Sequence, residues 1–241
     1  MVSPKGEIDN RPKRFYREVA VVGQDDHWSI RLDGKPLRTP EKKLLVLPTE
    51  ALGTVIADEW RAQAERIDLQ NMFNTRLANV VLDRTPASRS ELGREAARYA
   101  HTDLVCHLAE AGKLQVLQEK AWGPLRTWAA DKLGVKLDTV EGVIACAQPE
   151  KSVDAVRAHA ATLDDWRLTG LVHAIAFLGS AILGLAVERR RLTAARAFEL
   201  SRIDEEFQAA QWGEDAEAGR RTERSRTEAR AIDLWFDALP L

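Results

Sequence analysis

The chain has 241 residues, enough to bury a sizeable core in one large or two small domains. Hydrophobic residues make up 45% and charged residues 30%, a composition that excludes an intrinsically disordered chain. Its 35 basic and 37 acidic side chains nearly cancel, which speaks against a dedicated nucleic-acid binder.

The opening MVSPKGEIDNRPKRFYREV contains acids and lacks an apolar core, so it reads as neither a secretory signal nor a typical transit peptide. Cytoplasm, or the mitochondrial matrix in a eukaryote, is the expected compartment. β character follows. In WSIRL, Trp28, Ile30 and Leu32 alternate with Ser29 and Arg31, and Asp33-Gly34 supplies a hairpin turn. REVAVVG before it and KKLLVLP after it are further short apolar runs, so a small curled sheet is expected. Thr49 can cap a helix over EALGTVIADEWRAQAER, whose apolar stripe takes in Leu52, Val55, Ile56 and Trp60. Pro86 and its polar neighbours mark a boundary between a β-rich unit, 1–86, and a helical unit, 87–241.

Beyond that point the pattern is helical. Ser88 and Glu91 have capping-box spacing and open a helix over ELGREAARYAHTDLVCHLAE, with Gly112 as its stop. Pro124 is placed in the first turn of a helix that Gly134 ends. GVKLDTVEGVIACAQP has β character. Residues 168–187 carry no charge, yet Gly179-Ser180 interrupts them, so two short buried helices are favoured over a membrane span. One helix is expected over LTAARAFELSRIDEEFQAAQW. In EAGRRTERSRTEARAIDLWF, Glu and Arg recur three and four apart, predicting an exposed helix whose arginines are internally compensated. The fold class is therefore α+β.

Chemical signatures are sparse. Cys106 and Cys146 form no CxxC pair, which points to a reducing compartment without a disulfide framework. His101, Asp103, Cys106 and His107 are close in sequence but do not converge as a metal site requires. No phosphate-binding glycine motif or GxSxG elbow is present. His173 reads as a core histidine bonded to a neighbour. On a single helical wheel, Leu200, Ile203, Phe207 and Ala210 form a core stripe. Phe198, Ser201, Glu205, Gln208 and Trp212 fall on the opposite side. Aromatic ends around a polar centre suit an interaction patch, and a helix packed on both sides gives the same pattern.

RFYREV, LDGKPLRTP, ADEWRAQ, HTDLVCH, AWGPL and DEEFQAAQWGEDAEAGRR stand in the order seen in the assembly chaperones of the ATP synthase catalytic sector, in the branch that attends the alpha subunit. The chain resembles that family over about residues 14–221, and departs from it at AWGPL, where an Asp is expected between Trp and Pro. The resemblance implies a β-rich N-terminal and a helical C-terminal domain. It also implies a non-catalytic protein that holds the free alpha subunit until beta replaces it, with no cofactor; a monomer without a metal, a nucleic-acid partner or stable membrane insertion is expected beside it. Glu205, Gln208 and Trp212 are the leading contact residues, with Glu206 an accessory charge and Phe198 a flanking anchor. Glu59 and Trp60 form a second candidate pair. Two competing readings are a hydrolase using Asp103, His107 or Glu205, and a helical scaffold for another protein.

Overall fold

The computed structural model describes residues 9–142, 146–213 and 216–241. Two antiparallel strands, β1 (Val19–Gln24) and β2 (His27–Leu32), pair with Val21 opposite Ile30. The alternation in WSIRL turns Ile30 and Leu32 into the core. Asp33 and Gly34, with φ of 47° and 78°, then reverse the chain into β3 (Lys35–Pro36). β4 (Val46–Leu47) also pairs with β2, which makes a small four-stranded sheet. Thr49 caps α1 (Glu50–Arg61) by accepting from the Leu52 amide at 3.1 Å. Gly53 lets this helix close on the sheet, because a Cβ there would stand 2.8 Å from Val21.

α1 ends five residues earlier than its apolar repeat suggested. The Gln63 side chain folds back, donating to the Glu59 carbonyl and accepting from the Asp68 amide. α2 (Phe73–Asp83) and α3 (Thr85–Arg98) follow. α3 opens at Thr85, three residues before the predicted capping box, with Pro86 in its first turn, where a missing N–H costs nothing. One continuous hydrophobic cluster runs from Ile30 and Ile56 through Leu77 to Leu171 and Trp235.

The helix expected over residues 91–110 stops at Arg98. Single 3-10 turns replace its second half before β5 (His107–Leu108). Asp103 is the physical reason. Its carboxylate accepts from the Val105 amide, the Ser180 hydroxyl and the Ile182 amide, so this backbone is bent to cap a distant helix. Gly112, predicted as a stop, instead precedes α4 (Lys113–Leu133). Pro124 lies inside α4, not at a helix start. Trp122 and Leu125 on either side of it are buried, and the Trp122 indole donates to the Leu200 carbonyl, so packing outweighs the proline's cost of about 3 kcal/mol. Gly134 ends α4 in the left-handed region. β6 (Val140–Glu141) runs parallel to β5, which places the expected β character; residues 143–145 of that stretch lie outside the described residues.

α5 (Glu150–Thr162), α6 (Asp165–Leu178) and α7 (Ala181–Glu188) form the centre of the helical part. Gly179 and Ser180 break the apolar stretch as expected, and no described helix is long and apolar enough to cross a membrane. α7 crosses α6 closely at Gly184, where a Cβ would meet Ile175 at 2.3 Å. The expected helix over residues 192–212 is divided into α8 (Ala194–Ser201) and α9 (Ile203–Trp212). α10 (Ala216–Asp237) closes the fold. Its second half is core, with Trp235 and Phe236 fully buried, so it is not an exposed helix throughout.

Candidate functional site

The break between α8 and α9 builds the site. At Arg202 the backbone leaves helical geometry, with φ −110° and ψ 14°, and the Ser201 hydroxyl turns back onto the Phe198 carbonyl. A single wheel therefore does not describe both sides of Arg202. Leu200 and Phe198 are buried on α8, and Phe198 stacks on Phe177 with ring centroids 5.4 Å apart. Phe198 is a packing residue, contrary to its expected role as a flanking anchor. The Arg202 guanidinium lies over the Phe198 ring at 5.6 Å, and among the described residues it forms no ion pair with Glu206.

α9 begins with Asp204, Glu205 and Glu206, acids that favour the positive end of the helix dipole. Asp204 is the anchor. It accepts from the Gln118 side chain at 2.6 Å, and the fully buried Gln118 also accepts from the Ala109 amide. No residue of α9 is buried. Ile203 and Phe207 are half-buried and Ala210 is exposed, so the expected core stripe is only partly covered. Glu205, Glu206 and Gln208 are exposed, and Trp212 is 85% exposed. Gly213, with φ 89°, ends the helix directly after the tryptophan.

Grooves flank α9 on both sides. Toward α4, a 720 Å³ cleft has an apolar floor of Leu117, Ala121, Ile203 and Phe207. Toward α10, a 780 Å³ cleft sets Glu205, Glu206, Gln208 and Trp212 opposite Arg221 and Arg226. Among the described residues, these two acids form no ion pair with these two arginines. The walls thus present opposite charge with an aromatic at one end, a composition able to orient and anchor a polypeptide. The arginine wall was missed in the sequence because Glu and Arg spacing suggested compensation. Among the described residues of α10, the one Arg–Glu ion pair is Arg226 with Glu223, at 3.3 Å.

Glu59 and Trp60 are placed elsewhere. Trp60 is 7% exposed and packs edge-on against Tyr16. The Glu59 carboxylate accepts the Asn74 and Thr75 amides and the Thr75 hydroxyl, capping α2. Burial pushes its pKa up against those hydrogen bonds. Both side chains serve the junction of α1 and α2.

Asp103 is fully buried, and burial raises its carboxyl to about 6 despite its three donors. Glu205 is exposed on α9, so the two carboxylates do not share a cleft. Burial likewise pushes the Cys106 thiol well above its usual range, which makes it a poor nucleophile. Among the described residues no group of three His, Cys, Asp or Glu side chains is placed to hold a metal ion. His173 is partly exposed, with Nε2 3.1 Å from Glu228.

The family model described as ATP12 chaperone protein matches residues 13–130. The mitochondrial protein atp12 of Schizosaccharomyces pombe is 27% identical over 219 residues, spanning 85% of this chain and 75% of that protein. The crystal structure of Atp12 from Paracoccus denitrificans is 40% identical, with a TM-score of 0.81 over 92% of this chain and 98% of that one. A solved protein from Agrobacterium tumefaciens is 35% identical, with a TM-score of 0.88 over 95% and 87% of the two chains.

Proposed function

The chain belongs to the ATP12 chaperone family and is an assembly chaperone, and from that premise we propose that its client is the free alpha subunit of the ATP synthase catalytic sector. The contact face is the outer side of α9: Glu205, Gln208 and Trp212, with Glu206 beside them. The observation that carries this reading is the exposure of Trp212, a large apolar side chain left in solvent next to two carboxylates that form no ion pair among the described residues. An isolated ring subunit exposes surface reserved for its neighbour, and such patches aggregate. An aromatic anchor with charges around it covers that surface while leaving it open to displacement by beta.

On this reading the protein performs no reaction, acts as a monomer, and works where its client is made: in bacterial cytoplasm, or in the mitochondrial matrix of a eukaryote. The sealed environment of Asp103 and the exposed position of Glu205 support the first point. The division at residue 86 belongs to the same proposal, with 1–86 as the sheet-bearing unit and 87–241 presenting α9. Purified protein mixed with aggregating alpha subunit should suppress light scattering and co-elute with it on gel filtration. Undiminished scattering with no complex would refute the assignment.

A further inference from the structure

α10 carries five arginines, and among the described residues only Arg226 of them forms an ion pair. Arg220, Arg221, Arg224, Arg226 and Arg230 are all exposed. Arg226 pairs with Glu223, and Glu228 lies beside His173. Arg220, Arg221, Arg224 and Arg230 have neither an ion pair nor a hydrogen bond among the described residues. At ~100° per residue, Arg220, Arg224 and Arg230 fall within about 120° of one another, on the side away from the α9 cleft.

That side borders a long groove against α1, the 69–71 turn and the start of α2. Two cavities of 550 and 430 Å³ meet there, sharing Asn71, Phe73 and Thr227 in their walls. Most other charges of the groove have partners: Arg11 with Asp9 and Asp68, Arg66 with Asp9, Asp58 with Arg61 and Glu223 with Arg226, while the Glu59 carboxylate is held by three donors of α2. Among the described residues, the side chains of the groove left with neither an ion pair nor a hydrogen bond include Arg220, Arg224 and Arg230. Leu234, 51% exposed, adds an apolar step.

We propose that this groove binds an extended acidic segment of a partner protein. Its carboxylates meet Arg220, Arg224 and Arg230. Along α10 the three arginines span about 15 Å at 1.5 Å per residue. An extended chain advances about 3.3 Å per residue with alternate side chains on one face, so three acids at every second position cover about 13 Å. The fitting motif is an acid at alternate positions with apolar residues between, in contrast to a run of consecutive acids.

The test uses the full chain and a fluorescein-labelled peptide with Glu alternating with Val, read by fluorescence anisotropy. Binding should weaken as salt rises, and each Arg→Ala change at 220, 224 or 230 should reduce affinity about 1.5- to 5-fold. The triple variant should lose about tenfold or more, and Trp212→Ala should leave the peptide's affinity unchanged. Equal affinity for the triple variant or for a Gln-substituted peptide would overturn the proposal. So would equally tight, arginine-dependent binding of single-stranded DNA or phosphatidylglycerol vesicles, which would mark a general anion surface.

Discussion

Trp212→Ala and Phe198→Ala are expected to have opposite consequences, although one helical wheel put both aromatics on the same side. Trp212 is 85% exposed, so truncating it removes almost no buried surface and should change stability by under about 0.5 kcal/mol. Phe198 is 7% exposed, stacked on Phe177 and covered by Arg202. Its loss leaves a cavity, at a cost of about 3–5 kcal/mol. At about 2–4 °C per kcal/mol for a chain of this size, Phe198→Ala should melt roughly 6–20 °C lower, and Trp212→Ala within about 2 °C of the parent. Binding should reverse the order. An aromatic anchor at the centre of an interface is worth about 2 kcal/mol or more, so Trp212→Ala should raise the Kd for alpha subunit about 30-fold. Calorimetry and a titration against alpha subunit measure the two effects separately. A Trp212→Ala variant that melts several degrees early would place the side chain in the fold. One that melts normally and binds at the parental Kd would remove α9 from the contact.

Other consequences follow from buried groups. Glu188, fully buried, would have its pKa raised by burial, but hydrogen bonds from His159 and Arg167 lower it. Glu188→Ala leaves the Arg167 guanidinium, 5% exposed, without its carboxylate, and should cost about 3–5 kcal/mol in chemical denaturation; a loss below about 1 kcal/mol would refute that account. Gly184→Ala should destabilise by about 1–3 kcal/mol, because its Cβ would strike Ile175, and an unchanged midpoint would mean that the α6–α7 crossing yields freely. Asp103 supplies a pH dependence. Its folded pKa, raised from 3.8 to about 6, means that the folded state binds the proton more tightly. Its contribution is therefore most favourable below about pH 4 and is lost as pH rises through 6, a change of about 3 kcal/mol. The unfolding free energy of the parent relative to Asp103→Asn should fall by that amount between about pH 4 and pH 7; a flat difference would count against a desolvated carboxylate.

Why some of this was legible from sequence follows from the range of each signal. The strand alternation in WSIRL, the turn at Asp33-Gly34, the Thr49 cap and the Gly179-Ser180 break act within a few residues, and each stands as read. The predicted helix through residues 99–110 failed because the groups that bend Asp103 onto the α7 start are 77 and 79 residues away. Pro124 was misread for a related reason: the Trp122 indole that helps hold the helix through it bonds to a carbonyl 78 residues on. Phe198 shows a third kind of failure. A wheel carries phase only while the helix is unbroken, and Arg202 resets it, so residues on α8 and α9 cannot be compared by angle. Within α9 alone the phase holds. Ile203 and Phe207 lean inward while Glu205, Gln208 and Trp212 lean outward. That one-sided packing follows from Asp204, whose bond to the buried Gln118 ties the helix down at its first turn and leaves its far end, with Trp212, in solvent.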